Sequence, residues 1–137
     1  GDGRSPDGGA GLERLLGALV PVVRRRRTLV VAAGDLAHVG PAFGDPMSVG
    51  PAGQADVRTG DMESLGNVCR GDATGFLGGI AGERDRRRVC GLAPIYLTLR
   101  LLGEGVSGEV VDYAQCPADP AGGSLVSIAG VVWHAGR

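Results

Sequence analysis

The amino-acid sequence predicts an α/β fold in three layers, in which helices cover a mixed β-sheet. Segments with helical periodicity alternate with short apolar runs, in the order helix, strand, three helices, strand, strand. The length of 137 residues suits one ordinary domain, and an apolar content of 43% is typical of a chain with a buried core.

The first helix and strand follow a polar, glycine-rich N-terminal segment, residues 1–11, which we expect to be flexible. Leucine and valine recur at helical spacing from Leu12 to Val23. Four arginines at residues 24–27 then suit the negative end of the helix dipole. The apolar run at residues 28–33 predicts a buried strand.

The middle of the chain predicts a loop and three helices. Residues 41–53 are rich in proline and glycine and are expected to form the loop. A helix is predicted over about residues 55–69, and a second begins after Asp72, a residue type that caps helix N-termini well. The charged connector at residues 83–88 leads to an apolar, buried helix at residues 92–102.

Two strands, at about residues 109–116 and 125–133, are predicted to close the chain. Proline, aspartate and glycine between them are typical of a turn. Because no internal repeat or second domain is apparent, residues 12–137 are assigned to a single domain.

Charge and cysteine content exclude several classes of function. The formal net charge of −1 argues against a general nucleic-acid binder, and no apolar run is long enough for a membrane span. The cysteines Cys69, Cys90 and Cys116 fit neither a disulfide framework nor a zinc pattern. We therefore expect a cytoplasmic protein.

Asp35 and His38 are the first candidate site, because they follow the predicted first strand and ligands collect at strand ends in α/β sheets. Because they are three residues apart, their side chains can be directed at the same point. They could act there as metal ligands, or as a catalytic base with its orienting carboxylate. The alternative, which spacing alone favours, is that Asp35 caps a turn and His38 packs against the sheet.

Cys90 is the second candidate, since it precedes the predicted helix at residues 92–102 and follows several arginines. The helix dipole and the guanidinium groups would stabilise a thiolate, the form needed for metal binding or nucleophilic attack. The alternative is an inert buried thiol beside solvated charges.

The third candidate region contains Gln115 and Ser124, which could contact a ligand at strand ends. The alternative, which we favour, is that they are ordinary polar residues at the ends of strands.

Four segments of the chain resemble motifs of the Memo family and occur in the same order as in that family, which includes protein B of the bacterial AmmeMemoRadiSam system. They are the strand with Gly-Asp-x-x-His at residues 31–40, Cys-Gly-x-x-Pro-Ile at 90–95, Tyr-Ala-Gln at 113–115 and Ser-x-Val-Ser at 124–127. The resemblance extends from about Leu12 to Trp133 and corresponds to the carboxy-terminal half of the family.

This resemblance implies a fold similar to class III extradiol dioxygenases and a pocket for which iron or copper has been proposed. Cys90 matches the proposed metal-binding cysteine, while Asp35 and His38 match its neighbours in the pocket. In the leading hypothesis Cys90 is a metal ligand, His38 a ligand or acid/base, and Asp35 its orienting carboxylate. The resemblance also implies a radical-SAM protein and an AMMECR1-like protein as partners.

The chain departs from the family in length, because the amino-terminal half of longer members supplies further histidines to the pocket. The site is therefore incomplete as given. The leading hypothesis is a metal-dependent redox protein. The alternatives are a non-enzymatic module that binds a peptide or protein through a vestigial pocket, and a truncated, inactive fragment.

Overall fold

The computed structural model describes residues 9–134, which form four α-helices and three β-strands. The elements follow in the order α1 (Ala10–Arg25), β1 (His38–Val39), a 3-10 turn (Pro41–Phe43), α2 (Pro51–Cys69), α3 (Ala73–Gly82), α4 (Leu92–Leu102), β2 (Ser107–Pro117) and β3 (Leu125–His134). Most of the N-terminal segment expected to be flexible lies outside the described residues. Its last two residues, however, already belong to α1.

The helices predicted from the sequence are all present. The predicted loop at residues 41–53 is shorter than expected, since α2 begins at Pro51. A proline is well tolerated there, because the first residue of a helix needs no N–H partner within the helix. Asp72 caps α3 as predicted, and its carboxylate accepts the N–H of Gly75 at 2.7 Å.

The two closing strands are confirmed as a long antiparallel pair. Its register runs from Ser107 opposite His134 to Pro117 opposite Leu125, with an irregularity between Val110 and Asp112. Strand β1 pairs with the other edge of β3, so the sheet order is β1-β3-β2.

The expectation of three layers and a mixed sheet is wrong for the described residues, in which both strand pairs are antiparallel. Helices pack on one face of the sheet, against Ala129, Val131 and Trp133. The opposite face leaves Ile128 and Val132 exposed. The described residues therefore form an α/β arrangement of two layers.

The strand predicted at residues 28–33 is absent from the described structure, where this segment has no regular secondary structure. Leu29 is 86% exposed and Val31 is 73% exposed. An apolar run becomes a strand only when a neighbouring strand takes up its backbone hydrogen bonds. Within the described residues this segment makes no backbone hydrogen bonds to β3, and the first strand forms instead at His38–Val39.

The main core lies between the helices and the sheet. It is formed by the buried residues Leu36, Leu65, Val68, Phe76, Ile80, Val89, Tyr96 and Leu99. A smaller cluster surrounds β1 and consists of Ala37, Val39, Val57 and Leu125. No described helix is both long and apolar enough to cross a bilayer.

Candidate metal centre

The side chains of Asp35, His38 and Cys90 converge where the segment entering β1 meets the segment entering α4. One donor atom from each residue lies within 4.8 Å of the other two. Nε2 of His38 is 3.7 Å from Oδ2 of Asp35. The structure thus brings together the first two candidate regions of the sequence, which are 55 residues apart.

Close backbone contact holds the two segments together. The carbonyl oxygen of Asp35 accepts the N–H of Gly91 at 2.8 Å, and the N–H of Asp35 is directed at Sγ of Cys90 at 3.3 Å. A Cβ atom on Gly34 would lie 2.6 Å from Cα of Gly91, and one on Gly91 would lie 2.6 Å from the Asp35 oxygen. Glycine is therefore required on both sides of the contact.

The imidazole of His38 is oriented by two carbonyl groups. Its Nδ1 is 3.3 Å from the oxygen of Leu36 and 3.2 Å from the oxygen of Arg88. Because carbonyl oxygens only accept hydrogen bonds, Nδ1 carries the proton and the lone pair belongs to Nε2. The rings of Phe43 and His38 pack edge to face, with a centroid distance of 5.1 Å. Nε2 is thus the atom presented to Asp35 and to any ligand.

The three donors fit a transition-metal ion. Metal–ligand bonds of about 2.0–2.3 Å place two donors on one ion at most about 4.6 Å apart. The observed separations therefore need only small adjustments. Carboxylate, imidazole and thiolate together form a borderline-soft set suited to iron, copper or zinc. The Asp35 side chain is about half exposed and Cys90 is exposed, which leaves room for an exogenous ligand.

Arg87 anchors the segment that carries Cys90. Its side chain is buried, and its guanidinium group pairs with Asp61 and Glu83 and donates to Ser64 at 2.9 Å. The backbone carbonyl of Arg87 accepts the N–H of His38 at 2.7 Å. One residue of the charged connector therefore joins the helical core to β1.

Arg88 makes a second bridge from this connector. Its guanidinium group donates to both carboxylate oxygens of Asp45 and to the carbonyl oxygen of His38. Asp45 also accepts the N–H of Gly40 at 2.7 Å. These hydrogen bonds hold the pKa of Asp45 below its usual value, and the bond from Arg88 has the largest effect.

Cys90 lies just before α4, as predicted. The guanidinium groups of its neighbours Arg87 and Arg88 are directed at carboxylates.

Sequence reasoning missed the buried role of Arg87, although α2 contains a signal for it. Asp61 falls on the same helical stripe as Val57, Leu65 and Val68, and all four residues are buried. A carboxylate on an apolar stripe requires a cationic or hydrogen-bonding partner. Asp61 finds it in Arg87 and in the hydroxyl of Tyr113, which donates at 2.8 Å. Burial is the main cause that raises the pKa of Tyr113 to about 12, and the hydrogen bond to Asp61 is the second.

Gln115 and Ser124, the third candidate region, make hydrogen bonds to other parts of the protein. The side-chain amide of Gln115 donates to the carbonyl oxygen of Gln54 at 2.9 Å. The hydroxyl of Ser124, which is buried, accepts the N–H of Ala42 at 2.9 Å. These contacts agree with the interpretation of Gln115 and Ser124 as ordinary polar residues at strand ends.

A separate cavity lies outside the candidate metal centre. It has a volume of about 940 Å³ and lies between β3 and the irregular segment that follows α1. Gly34 and Leu36 line it, whereas Asp35, His38 and Cys90 do not. The candidate centre is a shallow surface cluster.

The fold is an α/β domain in which an aspartate, a histidine and a cysteine lie together near the start of a helix. These features define a class of proteins suited to binding a metal ion. Comparison with known families places the chain more narrowly. Residues 12–132 match the family model of the Memo-like proteins, so the chain belongs to that family. No curated protein matches the chain.

Proposed function

We propose that this Memo-like protein binds iron or copper through Asp35, His38 and Cys90 and that the bound ion supports a redox reaction. The observation that carries the proposal is the approach of three chemically different donor atoms to within 4.8 Å of one another. The family resemblance also implies a fold similar to that of class III extradiol dioxygenases, and this similarity is part of the proposal.

Each residue has a distinct part in this proposal. Cys90 supplies a soft sulfur ligand, and His38 supplies Nε2, with its ring fixed by the carbonyl groups of Leu36 and Arg88. Asp35 is either a third ligand or the carboxylate that orients the imidazole of His38, with Oδ2 3.7 Å from Nε2. The chemistry supplied by iron or copper in such a site is electron exchange. A radical-SAM protein and an AMMECR1-like protein remain the partners proposed from the family resemblance.

Metal content tests the binding part of the proposal. The protein is purified anaerobically, loaded separately with Fe(II) and Cu(I), desalted and analysed for metal per chain. We expect a stoichiometric ion in the wild type and its loss in Cys90→Ser and His38→Ala. Cys116→Ser is the matched control, because Cys116 is an exposed thiol on β2. Equal metal content in all four proteins would contradict the proposal.

Electrochemistry tests the redox part separately. The loaded wild type is expected to show a reversible one-electron transition that shifts or disappears in Cys90→Ser. Stoichiometric metal without such a transition would leave a metal-binding protein and end the redox proposal. Absence of metal with retained partner binding would favour a non-enzymatic binding module.

A further inference from the structure

The cavity of about 940 Å³ is a cleft between two stretches of backbone. One wall is the end of β3, including Ala129, Val131 and Trp133. The other is the irregular segment at residues 28–32, which lacks the strand that its sequence predicts. Apolar side chains such as Leu65 and Val68 lie at its base.

The edge of β3 that faces the cleft is unpaired over most of its length within residues 9–134. Strand β1 pairs with β3 at Leu125 and Val126, and the backbone of Leu36 and Ala37 extends the hydrogen bonding to Ser127. Beyond Ser127 the described residues place a strand only on the β2 side.

The hydrogen-bond pattern identifies the free groups. Both the N–H and the C=O of Ser127 bond on the β1 side. In an antiparallel sheet these directions alternate along a strand, so the N–H and C=O groups of Ala129, Val131 and Trp133 also point to that side. Each of these residues lines the cleft. A row of unpaired groups of this kind is a template for one more strand.

The rim of the cleft carries positive charge. Arg24, Arg26 and Arg27 line it at the end of α1, and Glu104 is the acidic residue among the lining side chains. Leu29 and Val31 on the same wall are largely exposed, which leaves apolar surface available beside the cationic rim. The cleft therefore combines unpaired backbone, apolar surface and a net positive charge.

We propose that this cleft binds an extended segment of a partner polypeptide, which adds to β3 as a further strand. Strand addition to a sheet edge is an established mode of peptide recognition, in which main-chain bonds give affinity and side-chain pockets give selectivity. The free part of β3, from Ile128 to His134, would accommodate a segment about 20 Å long. The segment carries apolar residues that contact Leu29 and Val31, flanked by acidic residues that face the three arginines.

The experiment uses the 137-residue chain and the fluorescence of Trp133, its single tryptophan, which lies in the cleft wall. The probe is a capped synthetic peptide of alternating valine and threonine flanked by aspartates. One control peptide has arginines in place of the aspartates. A second has the acidic sequence with methyl groups on alternate backbone nitrogens, which removes the donors on one edge.

The acidic peptide is expected to change Trp133 fluorescence saturably and to bind at least about tenfold more tightly than either control peptide. The double variant Arg26→Glu, Arg27→Glu is expected to reverse the preference for flanking charge. Arg14→Glu, an exposed position on α1 outside the cleft, is the matched control and should leave binding unchanged.

Equal binding of the three peptides, or no saturable response to any of them, would overturn the proposal. A dimer in solution that is dissociated by Val131→Pro would also overturn it, because the occupant of the edge would then be a second copy of the chain. The inference does not rest on the proposed metal chemistry, so Cys90→Ser should bind the acidic peptide as the wild type does.

Discussion

Arg87 contacts His38 through its backbone while its side chain is buried elsewhere. The carbonyl oxygen of Arg87 accepts the N–H of His38 at 2.7 Å, and its guanidinium group pairs with the fully buried Asp61. The position of the candidate histidine is thereby tied to an ion pair in the helical core. Changes at Arg87 should consequently affect both folding and the candidate centre.

Arg87→Ala is expected to lower the free energy of unfolding by about 3–5 kcal/mol, because it leaves the Asp61 carboxylate buried without its cation. Urea denaturation followed by circular dichroism measures the change. The exposed neighbour Arg86 provides the control, since Arg86→Ala should change stability by less than about 0.5 kcal/mol. Similar losses for the two variants would show that the buried pair has no special role.

Gly91→Ala is expected to separate Cys90 from Asp35. A Cβ atom at this position would meet the Asp35 carbonyl oxygen at 2.6 Å, so the two segments must move apart. We expect metal affinity to fall at least about tenfold, measured by competition with a chromogenic chelator. A wild-type affinity in Gly91→Ala would contradict the role assigned to this contact.

Gly78→Ala is expected to have the opposite effect on stability. Gly78 is exposed inside α3, and a Cβ atom there meets nothing within 4 Å. Alanine in a helix interior is favoured over glycine by about 0.5–1 kcal/mol, so the melting temperature should rise. Differential scanning calorimetry at one protein concentration measures the shift, and a lower melting temperature would contradict the helical assignment.

The ion pair between Asp45 and Arg88 should make stability depend on acid pH. The pKa of Asp45 is lower in the folded protein than its usual value of 3.8, so its contribution is present above that value. This contribution is lost as the pH falls through the lower folded pKa. The wild type should melt at a higher temperature than Asp45→Asn at pH 7, and the difference should shrink as the pH falls below 3.8. A difference that is independent of pH would contradict the ion pair.

The parts of the fold that the sequence predicts well depend on local patterns. The apolar periodicity of α1, the Asp72 cap of α3 and the turn residues between β2 and β3 are each contained within one segment. The prediction of a strand at residues 28–33 is wrong because an apolar stretch indicates only a tendency to be buried. A strand also needs an adjacent strand to which its backbone can form hydrogen bonds. That neighbour cannot be identified from the run itself.

The candidate site was predictable in its residues and not in its geometry. Asp35 and His38 stand three residues apart in the sequence, a spacing that permits a common direction but that, taken alone, favours structural roles for both. The approach of Cys90 depends on a glycine contact across 55 residues, and only the family resemblance indicated it. The burial of Arg87 likewise depends on Asp61, 26 residues earlier.

His38 belongs to β1, whereas Cys90 stands at the entrance to α4, so the candidate centre bridges the seam between the sheet and the helical layer. Sliding of one layer over the other by a fraction of an ångström would stretch or compress the ligand sphere. The absorption spectrum of an ion held there would consequently report strain between the layers, including strain introduced far from the three donor residues.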